Sequence, residues 1–159
     1  MSAKVTCIGL KGLDGYRVQV EAEVTEGVES MVVVGLPDAS VKESKERVSA
    51  AVRNLGFSLV DQKVVNLSPG EQKKNGPLFD PAIALGVLKS GGFLKGEIPE
   101  NTAYIGAVSL DGSVIPVEGM TAAVLAAGRL GIERLFLPFD PDVPDISVRG
   151  LELVYISHI

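Results

Sequence analysis

A polar loop between two apolar segments is the part of this sequence whose residue types could do chemistry. It lies within VVNLSPGEQKKNGPLFDPAIALGVL, residues 64–88. The unpaired N–H groups at the start of the following helix, beside two adjacent ammonium groups, favour an anionic group such as phosphate or carboxylate. We therefore predict a contact surface for a neighbouring subunit, DNA or another protein. Its candidate residues are Lys73, Lys74, Asn75, Gly76 and Phe79.

A purely structural turn is the alternative for the same loop. Asp80 followed by Pro81 has the order of a helix cap and a first-turn proline, and a capping carboxylate would itself satisfy the N–H groups. Nucleic acid would also need aromatic rings for base stacking, and only Phe79 and Phe57 are candidates. We therefore expect at most weak DNA binding by this chain alone.

Other reactive groups are few. One cysteine, Cys7, and one histidine, His158, exclude a disulfide framework and the zinc patterns built from Cys and His pairs. Cys7 is predicted to be a small buried residue of the first strand. The segment FDPDVPD brings Asp140, Asp142 and Asp145 together, but its prolines and its lack of a calcium-loop glycine and glutamate favour a solvent-facing turn over a metal site.

The composition limits nucleotide and nucleic-acid binding further. No Gly-Lys dipeptide occurs, so the phosphate-binding loop G-x-x-x-x-G-K-[ST] is absent and we predict no cofactor for this chain. A net charge of −5 means that any nucleic-acid role is local or belongs to other domains. No apolar stretch approaches the ~18 residues of a membrane helix, and we expect a soluble, cytoplasmic protein.

The first half of the chain predicts three strands and a helix. AKVTCIGL, YRVQVEAEV and SMVVVGL are β-branched runs separated by glycine-bearing turns. PDASVKESKERVSAAVRNLGF then predicts an amphipathic helix with Ser40 and Glu43 as a capping box. Its charge pairs, Lys42 with Glu46 and Glu43 with Arg47, are interpreted as a solvated face.

The second half predicts alternating strands and helices. KVVNL is a strand, and PAIALGVLKSGG is a helix so apolar that we expect it to be buried. Two strands surround Asp111-Gly112, a hairpin signal. GMTAAVLAAGRLGI predicts a helix that ends near Gly131, followed by the strands RLFLP and LELVYIS. The predicted fold is α+β, a two-layer sandwich of a mixed β-sheet with helices on one face, and residues 1–159 are expected to form a single domain.

Two segments resemble the proteolytic domain of the Lon family. They are SPGEQKKNGPLFDPAIALGVL and GSVIPVEGMTAAVLAAGRLGIERLFLP. The resemblance implies the Lon proteolytic, ribosomal protein S5 domain 2-like fold. It places the catalytic serine of that family at Leu78 and the catalytic lysine at Ala123, after matching Gly76 and Pro77. Neither side chain can donate or accept a hydrogen bond or act as a nucleophile, so we expect no catalytic residues in this chain.

Three long segments resemble the N-terminal domain of the Mg-chelatase-like AAA+ ATPases, the ComM/YifB group. They are VVVGLPDASVKESKERVSAAVRNLG, NLSPGEQKKNGPLFDPAIALGVL and GAVSLDGSVIPVEGM. The resemblance implies a non-catalytic accessory domain whose AAA+ module, with its ATP and Mg, is absent from this chain. It further implies a homo-oligomeric, hexameric ring and DNA branch migration during natural competence. The alternative is a Ser-Lys-type ATP-dependent peptidase domain with atypical active-site residues.

Overall fold

The computed structural model describes residues 2–11, 14–28, 30–35, 38–57, 61–68, 78–141 and 148–159. In chain order the elements are β1 (Ser2–Lys11), β2 (Asp14–Thr25), β3 (Ser30–Val34), α1 (Asp38–Asn54), β4 (Gln62–Ser68), α2 (Asp80–Ser90), β5 (Thr102–Tyr104), β6 (Ala107–Val108), β7 (Val114–Ile115), α3 (Met120–Arg129), β8 (Arg134–Leu137) and β9 (Glu152–Tyr155). The predicted α+β class and the element order are confirmed. The one added element is β5, which Gly106, with a φ of 131°, separates from the hairpin.

A four-stranded mixed sheet organises the first half of the chain in the order β1-β2-β4-β3. The pairs β1/β2 and β2/β4 are antiparallel, whereas β3 runs parallel to β4. Side chains alternate with period two, so the inward positions of β2 (Val18, Val20 and Ala22) are buried. Val20 is paired with Leu67 of β4, which continues the same buried face.

The later strands form two further sheets. One is a three-stranded parallel sheet of β5, β8 and β9. The other is a hairpin of β6 and β7, with two residues in each strand. The parallel pairing of β5 with β8 requires a crossover, and α3 lies in that connection. The predicted turn is present in the hairpin, where the carboxylate of Asp111 accepts hydrogen bonds from the backbone and hydroxyl of Ser113.

Helix α2 is the central helix, as its apolar sequence predicts. Nine of its eleven residues are buried, and it contacts β1, β2 and β4. The close approach depends on Gly86, because a Cβ at this position would lie 3.1 Å from the Cβ of Ala22 on the inward face of β2. Helix α1 packs on α2 and on β3. It begins at Asp38, so the prediction that Ser40 caps it is wrong, since Ser40 lies within the first turn.

Helix α3 covers the other side of the β1–β2 hairpin near its turn. A Cβ at Gly119 would approach the side chain of Leu10, and a Cβ at Gly15 would approach Ala126. Leu10 and Gly15 are paired across the two strands, three positions along from the inward pair Cys7 and Val18, so they face the opposite way.

Replacing Gly15 by alanine tests the packing of α3 on β2. The new methyl carbon would lie 2.1 Å from the Cβ of Ala126, so we expect a loss of about 1–3 kcal/mol in the free energy of unfolding. Ala126→Gly should cost about 1 kcal/mol through helix propensity, while it removes the obstructing methyl. The double variant should therefore lose less than the sum in urea denaturation. Additive losses would contradict the contact.

One hydrophobic cluster connects the sheet and the helices within the described part of the chain. It includes residues from β1, β2, β4 and all three helices, with Phe79, Ile83 and Leu135 among its largest buried side chains. No helix in the described ranges is long and apolar enough to cross a membrane.

Candidate functional site

The predicted contact loop is described only at its two flanks. Lys73, Lys74, Asn75 and Gly76 lie outside the described residues, so their role stays a prediction. On the upstream side, β4 ends at Ser68, whose hydroxyl accepts a hydrogen bond of 3.4 Å from the side chain of Asn66. The chain is described again from Leu78, immediately before α2.

The two positions that correspond to a Ser-Lys dyad are both buried hydrocarbon. Leu78 and Ala123 belong to the hydrophobic cluster, with 4% and 0% of their surface exposed. The carbonyl oxygen of Leu78 accepts a hydrogen bond from the thiol of Cys7 across β1, at 3.4 Å from Sγ. The leucine side chain therefore fills space in the core, as its hydrocarbon character predicts.

Phe79 also lies in the core, which contradicts its assignment to a contact surface. Only 1% of this residue is exposed, and its backbone forms an isolated parallel bridge with Gly106. An enclosed ring cannot stack on a base without local unfolding. Phe57, the other stacking candidate, is half-buried and packs against Phe93, with their ring centroids 5.1 Å apart.

Asp80 is not the cap of α2 but the centre of a buried polar cluster. The cap position is occupied by Phe79, no side chain caps the helix, and Asp80 is its first residue. The carboxylate accepts hydrogen bonds from Nε of Arg47 at 2.6 Å and from the hydroxyl of Ser44 at 3.1 Å. The backbone N–H of Val108 in β6 also donates to it, at 3.3 Å. The cluster of Ser44, Arg47, Asp80 and the Val108 N–H thus connects α1, α2 and the hairpin.

The electrostatics of this cluster follow from its burial. Removal from water is the largest effect on Asp80 and raises the pKa of its carboxyl, while the hydrogen bonds and charge of Arg47 oppose the increase. The hydrogen bond to Asp80 is in turn the main reason that the pKa of Arg47 is raised. Nη2 of Arg47 also donates a hydrogen bond to Oδ1 of Asp80, at 3.3 Å, so the ion pair is bidentate.

Sequence reasoning missed this cluster because it assigned each partner locally. Glu43 does lie 3.8 Å from Arg47, as the spacing of four residues predicts, but that pair is at the surface and Asp80 is the closer partner. One signal was present in the sequence: a carboxylate inside the apolar run LFDPAIAL must be paired if it is buried. The sequence does not show which of the cations supplies the charge.

The buried serine and threonine hydroxyls of the described residues donate hydrogen bonds to oxygen atoms, whereas a Ser-Lys dyad would need a lysine amine as the acceptor. Ser44 donates to Asp80, Ser90 to the carbonyl oxygens of Gly86 and Val87, and Thr102 to that of Pro99. The Ser90 bonds run back along its own helix, as is common for serine. These hydrogen bonds contribute to the stability of the fold.

Cys7 is the buried strand residue that the sequence predicts. Burial raises the pKa of its thiol strongly, and the nearby charge of Asp80 raises it further. Since the thiolate is the reactive form, we expect native Cys7 to react with a disulfide reagent more than about a hundredfold more slowly than in urea-unfolded chain. Timing the release of the coloured thiol by absorbance checks this. Equal rates in the two states would contradict the burial.

Of the three aspartates in FDPDVPD, the structure describes only Asp140. Asp142 and Asp145 lie outside the described residues, so the prediction of a solvent-facing turn stays a prediction. Among the residues that are described, no group of three or more His, Cys, Asp or Glu side chains is close enough to hold a metal ion.

Comparison with known proteins identifies relatives of two kinds. The sequence model of a family described as "Subunit ChlI of Mg-chelatase" matches residues 20–141. "Uncharacterized protein Rv2897c" of Mycobacterium tuberculosis is 42% identical over 150 residues, which are 91% of this chain and 30% of that protein. "Competence protein ComM" of Haemophilus influenzae is 32% identical over 119 residues, 74% of this chain and 23% of the relative. "Lon protease 3" of Sorangium cellulosum is 29% identical over 167 residues, 98% of this chain and 20% of the relative.

The mixed sheet, the three helices and the similarity to a Lon protease along almost the whole chain define the fold as that of the Lon proteolytic domain, the ribosomal protein S5 domain 2-like fold. The family model covers well over half of the sequence, and the chain therefore belongs to the Mg-chelatase-like (ChlI) family. The chain spans less than a third of the length of these relatives, with 30%, 23% and 20% of each covered.

Proposed function

We propose that this chain is a non-catalytic accessory domain, for assembly or interaction, within a longer Mg-chelatase-like AAA+ ATPase. The observation that carries the proposal is the burial of hydrocarbon at both dyad positions, Leu78 and Ala123. Attack by a serine requires a hydroxyl and a neutral amine within hydrogen-bond reach, and neither side chain supplies one. The fold of a peptidase is thus retained without the groups of its reaction.

The activity of the longer protein belongs to the same proposal. The AAA+ module would bind ATP and Mg and assemble into a homo-oligomeric, hexameric ring in the cytoplasm. Because one relative is named a competence protein, we further propose a role in DNA processing and branch migration during natural competence. The family membership of the chain supports the ATPase assignment.

The accessory role is tested in the longer protein with and without residues 1–159. We expect removal of these residues to change the oligomeric mass, measured by light scattering, or the stimulation of ATP hydrolysis by DNA. A ring of unchanged mass with unchanged DNA-dependent hydrolysis would contradict the proposal.

The loop is tested separately by changing Lys73 and Lys74 to alanine. The matched control, Lys42→Ala with Lys95→Ala, removes the same charge from exposed positions elsewhere.

The peptidase alternative predicts a different result. On the accessory-domain proposal, neither this chain nor the longer protein with ATP cleaves casein or a fluorogenic peptide above the buffer rate. Turnover that disappears in the Lys73→Ala, Lys74→Ala variant, but persists in the Lys42→Ala, Lys95→Ala control, would establish the peptidase and overturn our proposal. Turnover that persists in both variants would indicate a contaminating protease, which a serine-protease inhibitor and repurification would remove.

A further inference from the structure

A cleft of about 390 Å³ lies between the outward face of β1 and β2 and residues 98–101, which precede β5. The outward face forms the floor of the cleft and residues 98–101 form its wall. Helix α2 packs on the other, inward face of these strands. The volume falls within the roughly 300–1,000 Å³ found for small-molecule sites. The polar lining consists of Lys4, Thr6, Arg17, Gln19, Glu100 and Asn101.

The pairing of β1 with β2 arranges the floor of the cleft. Thr6 and Gln19 lie directly opposite each other. Lys4 and Arg17 are each two positions from this pair along their own strands, so they lie on the same face but towards opposite ends of the hairpin. The floor therefore has a hydroxyl and an amide at its centre, with one cation on either side.

Arg17 is positioned by a contact with the end of helix α3. Its Nη2 donates a hydrogen bond of 3.0 Å to the carbonyl oxygen of Leu130, the residue that follows the helix. A guanidinium carries five N–H groups, so this bond leaves donors for a second acceptor. The planar arrangement of those donors matches the two oxygens of a carboxylate. Arg17 thus offers a carboxylate-binding group at one end of the floor.

The wall of the cleft is held by hydrogen bonds to its backbone. The carbonyl oxygen of Asn101 accepts a bond of 2.8 Å from the N–H of Glu133, and the Thr102 hydroxyl donates to the carbonyl oxygen of Pro99 at 2.7 Å. Asn101 has a φ of 60°, a left-handed conformation that asparagine tolerates better than most residues. The wall therefore presents Glu100 from a segment whose shape is already set.

Opposite charges line the two sides of the cleft. Lys4 and Arg17 are on the floor, whereas Glu100 is on the wall. Within the described part of the chain, Glu100 forms no ion pair with either cation. Lys4 lies opposite Glu21, whose carboxylate offsets part of its charge, so Arg17 is the stronger site for an anion. A ligand with both charges would match both sides, while an ion of one sign would meet a like charge at one of them.

We propose that this cleft binds a small zwitterion, a molecule with one carboxylate and one ammonium group, of the class of amino acids and short peptides. Arg17 would bind the carboxylate, and Glu100 would accept hydrogen bonds from the ammonium. Ile98 and Pro99, which complete the wall, provide apolar surface for an aliphatic side chain. This inference does not depend on the proposed accessory role, because it concerns the outward face of the sheet and requires no ATPase module.

An NMR titration of this chain with L-valine tests the proposal at constant ionic strength. Two matched molecules each lack one charge: isovalerate has no ammonium group, and isobutylamine has no carboxylate. L-Valine should bind about tenfold or more tightly than either, since each has lost a charge-assisted hydrogen bond. The amide shifts should centre on Thr6, Gln19 and Asn101. Equal affinity for the three molecules, or shifts centred elsewhere, would overturn the proposal.

Variants at the two sides of the cleft assign the two charges. Arg17→Gln should weaken the binding of L-valine about tenfold or more but leave that of isobutylamine unchanged. Glu100→Gln should weaken L-valine binding similarly but not that of isovalerate. Both residues are exposed, so the fold should survive. The control is Lys42→Gln, an exposed charge on α1. Equal weakening by the control, or an equal loss for all three molecules in either variant, would refute the assignment.

A dipeptide distinguishes the two sources of this chemistry. Glycyl-L-valine carries the same two charges, but a peptide unit separates them. Tighter binding of L-valine would identify a free amino acid, and tighter binding of the dipeptide would identify a short peptide with free termini. If neither bound more tightly than isovalerate, the zwitterion proposal would be wrong.

Discussion

Replacing Arg47 by alanine is expected to lower the free energy of unfolding by about 3–5 kcal/mol, because it leaves the buried carboxylate of Asp80 without its cation. Asp80→Ala should also lower it, since it leaves the guanidinium with only the surface carboxylate of Glu43, 3.8 Å away. The two losses should not add. With both partners removed, no uncompensated charge remains, so the double variant should be clearly more stable than the sum of the single losses predicts. Urea denaturation of the four proteins measures the cycle.

The chain offers a matched control for this pair. Arg134 and Glu152 form the same kind of contact on the surface, with Nε 3.0 Å from the carboxylate oxygen, compared with 2.6 Å for Arg47 and Asp80. The side chains of the surface pair are 49% and 63% exposed, whereas those of Arg47 and Asp80 are 24% and 0% exposed. Arg134→Ala should therefore cost less than about 1 kcal/mol. Similar losses at the two sites would show that burial does not determine the effect.

Replacing Phe79 by alanine is expected to destabilise the chain by about 3–5 kcal/mol. Among the described residues, Phe79 has the largest fully buried side chain, and it lies immediately before helix α2. Truncation to alanine would therefore remove buried hydrocarbon and leave a cavity. The cost depends on how far neighbours such as Ile83 can move into the space. Urea denaturation checks the value, and an unchanged slope of the transition would show that the same two states are compared.

Phe139 provides the comparison for this substitution. It is 67% exposed and contacts the ring of Tyr155, with the ring centroids 5.8 Å apart, so Phe139→Ala should cost well under about 1 kcal/mol. A loss at Phe79 as small as that at Phe139 would mean that the ring is not held in the core. The original assignment of Phe79 to a contact surface would then be revived.

Phe79 and Asp80 also concern function, because they lie at the downstream end of the predicted loop. Phe79 and Asp80 fix the start of α2 to the core and to α1, so the downstream flank of the loop has a rigid support. A contact surface on residues 68–77 would be held by this support, whereas a hydrolytic site would need reactive groups that Leu78 does not provide. Destabilising variants at Phe79 and Asp80 therefore cannot be used to test loop contacts, for which the lysine substitutions are suited.

The sequence by itself determined the class of fold and most of its elements. β-branched runs identified β1 and β2, the apolar run PAIALGVL identified the buried α2, and Asp111-Gly112 identified the hairpin. These signals are local, since each depends on which neighbours in the chain share a face. The hydrocarbon at Leu78 and Ala123 was likewise visible in the sequence, because it depends on residue type alone.

Only the tertiary structure decided which distant residues meet. It paired Arg47 with Asp80, 33 positions away, and it separated β5, β8 and β9 from the mixed sheet. It also buried Phe79 in the hydrophobic core, although the local sequence pattern had placed this residue in the loop. The local sequence pattern paired Arg47 with Glu43, because residues four positions apart are neighbours on any helix. It made Asp80 the cap of α2, because an aspartate at a helix start commonly has that role. A buried charge instead takes the partner that the packing of helices and sheet brings to it, and that choice is made by the fold as a whole.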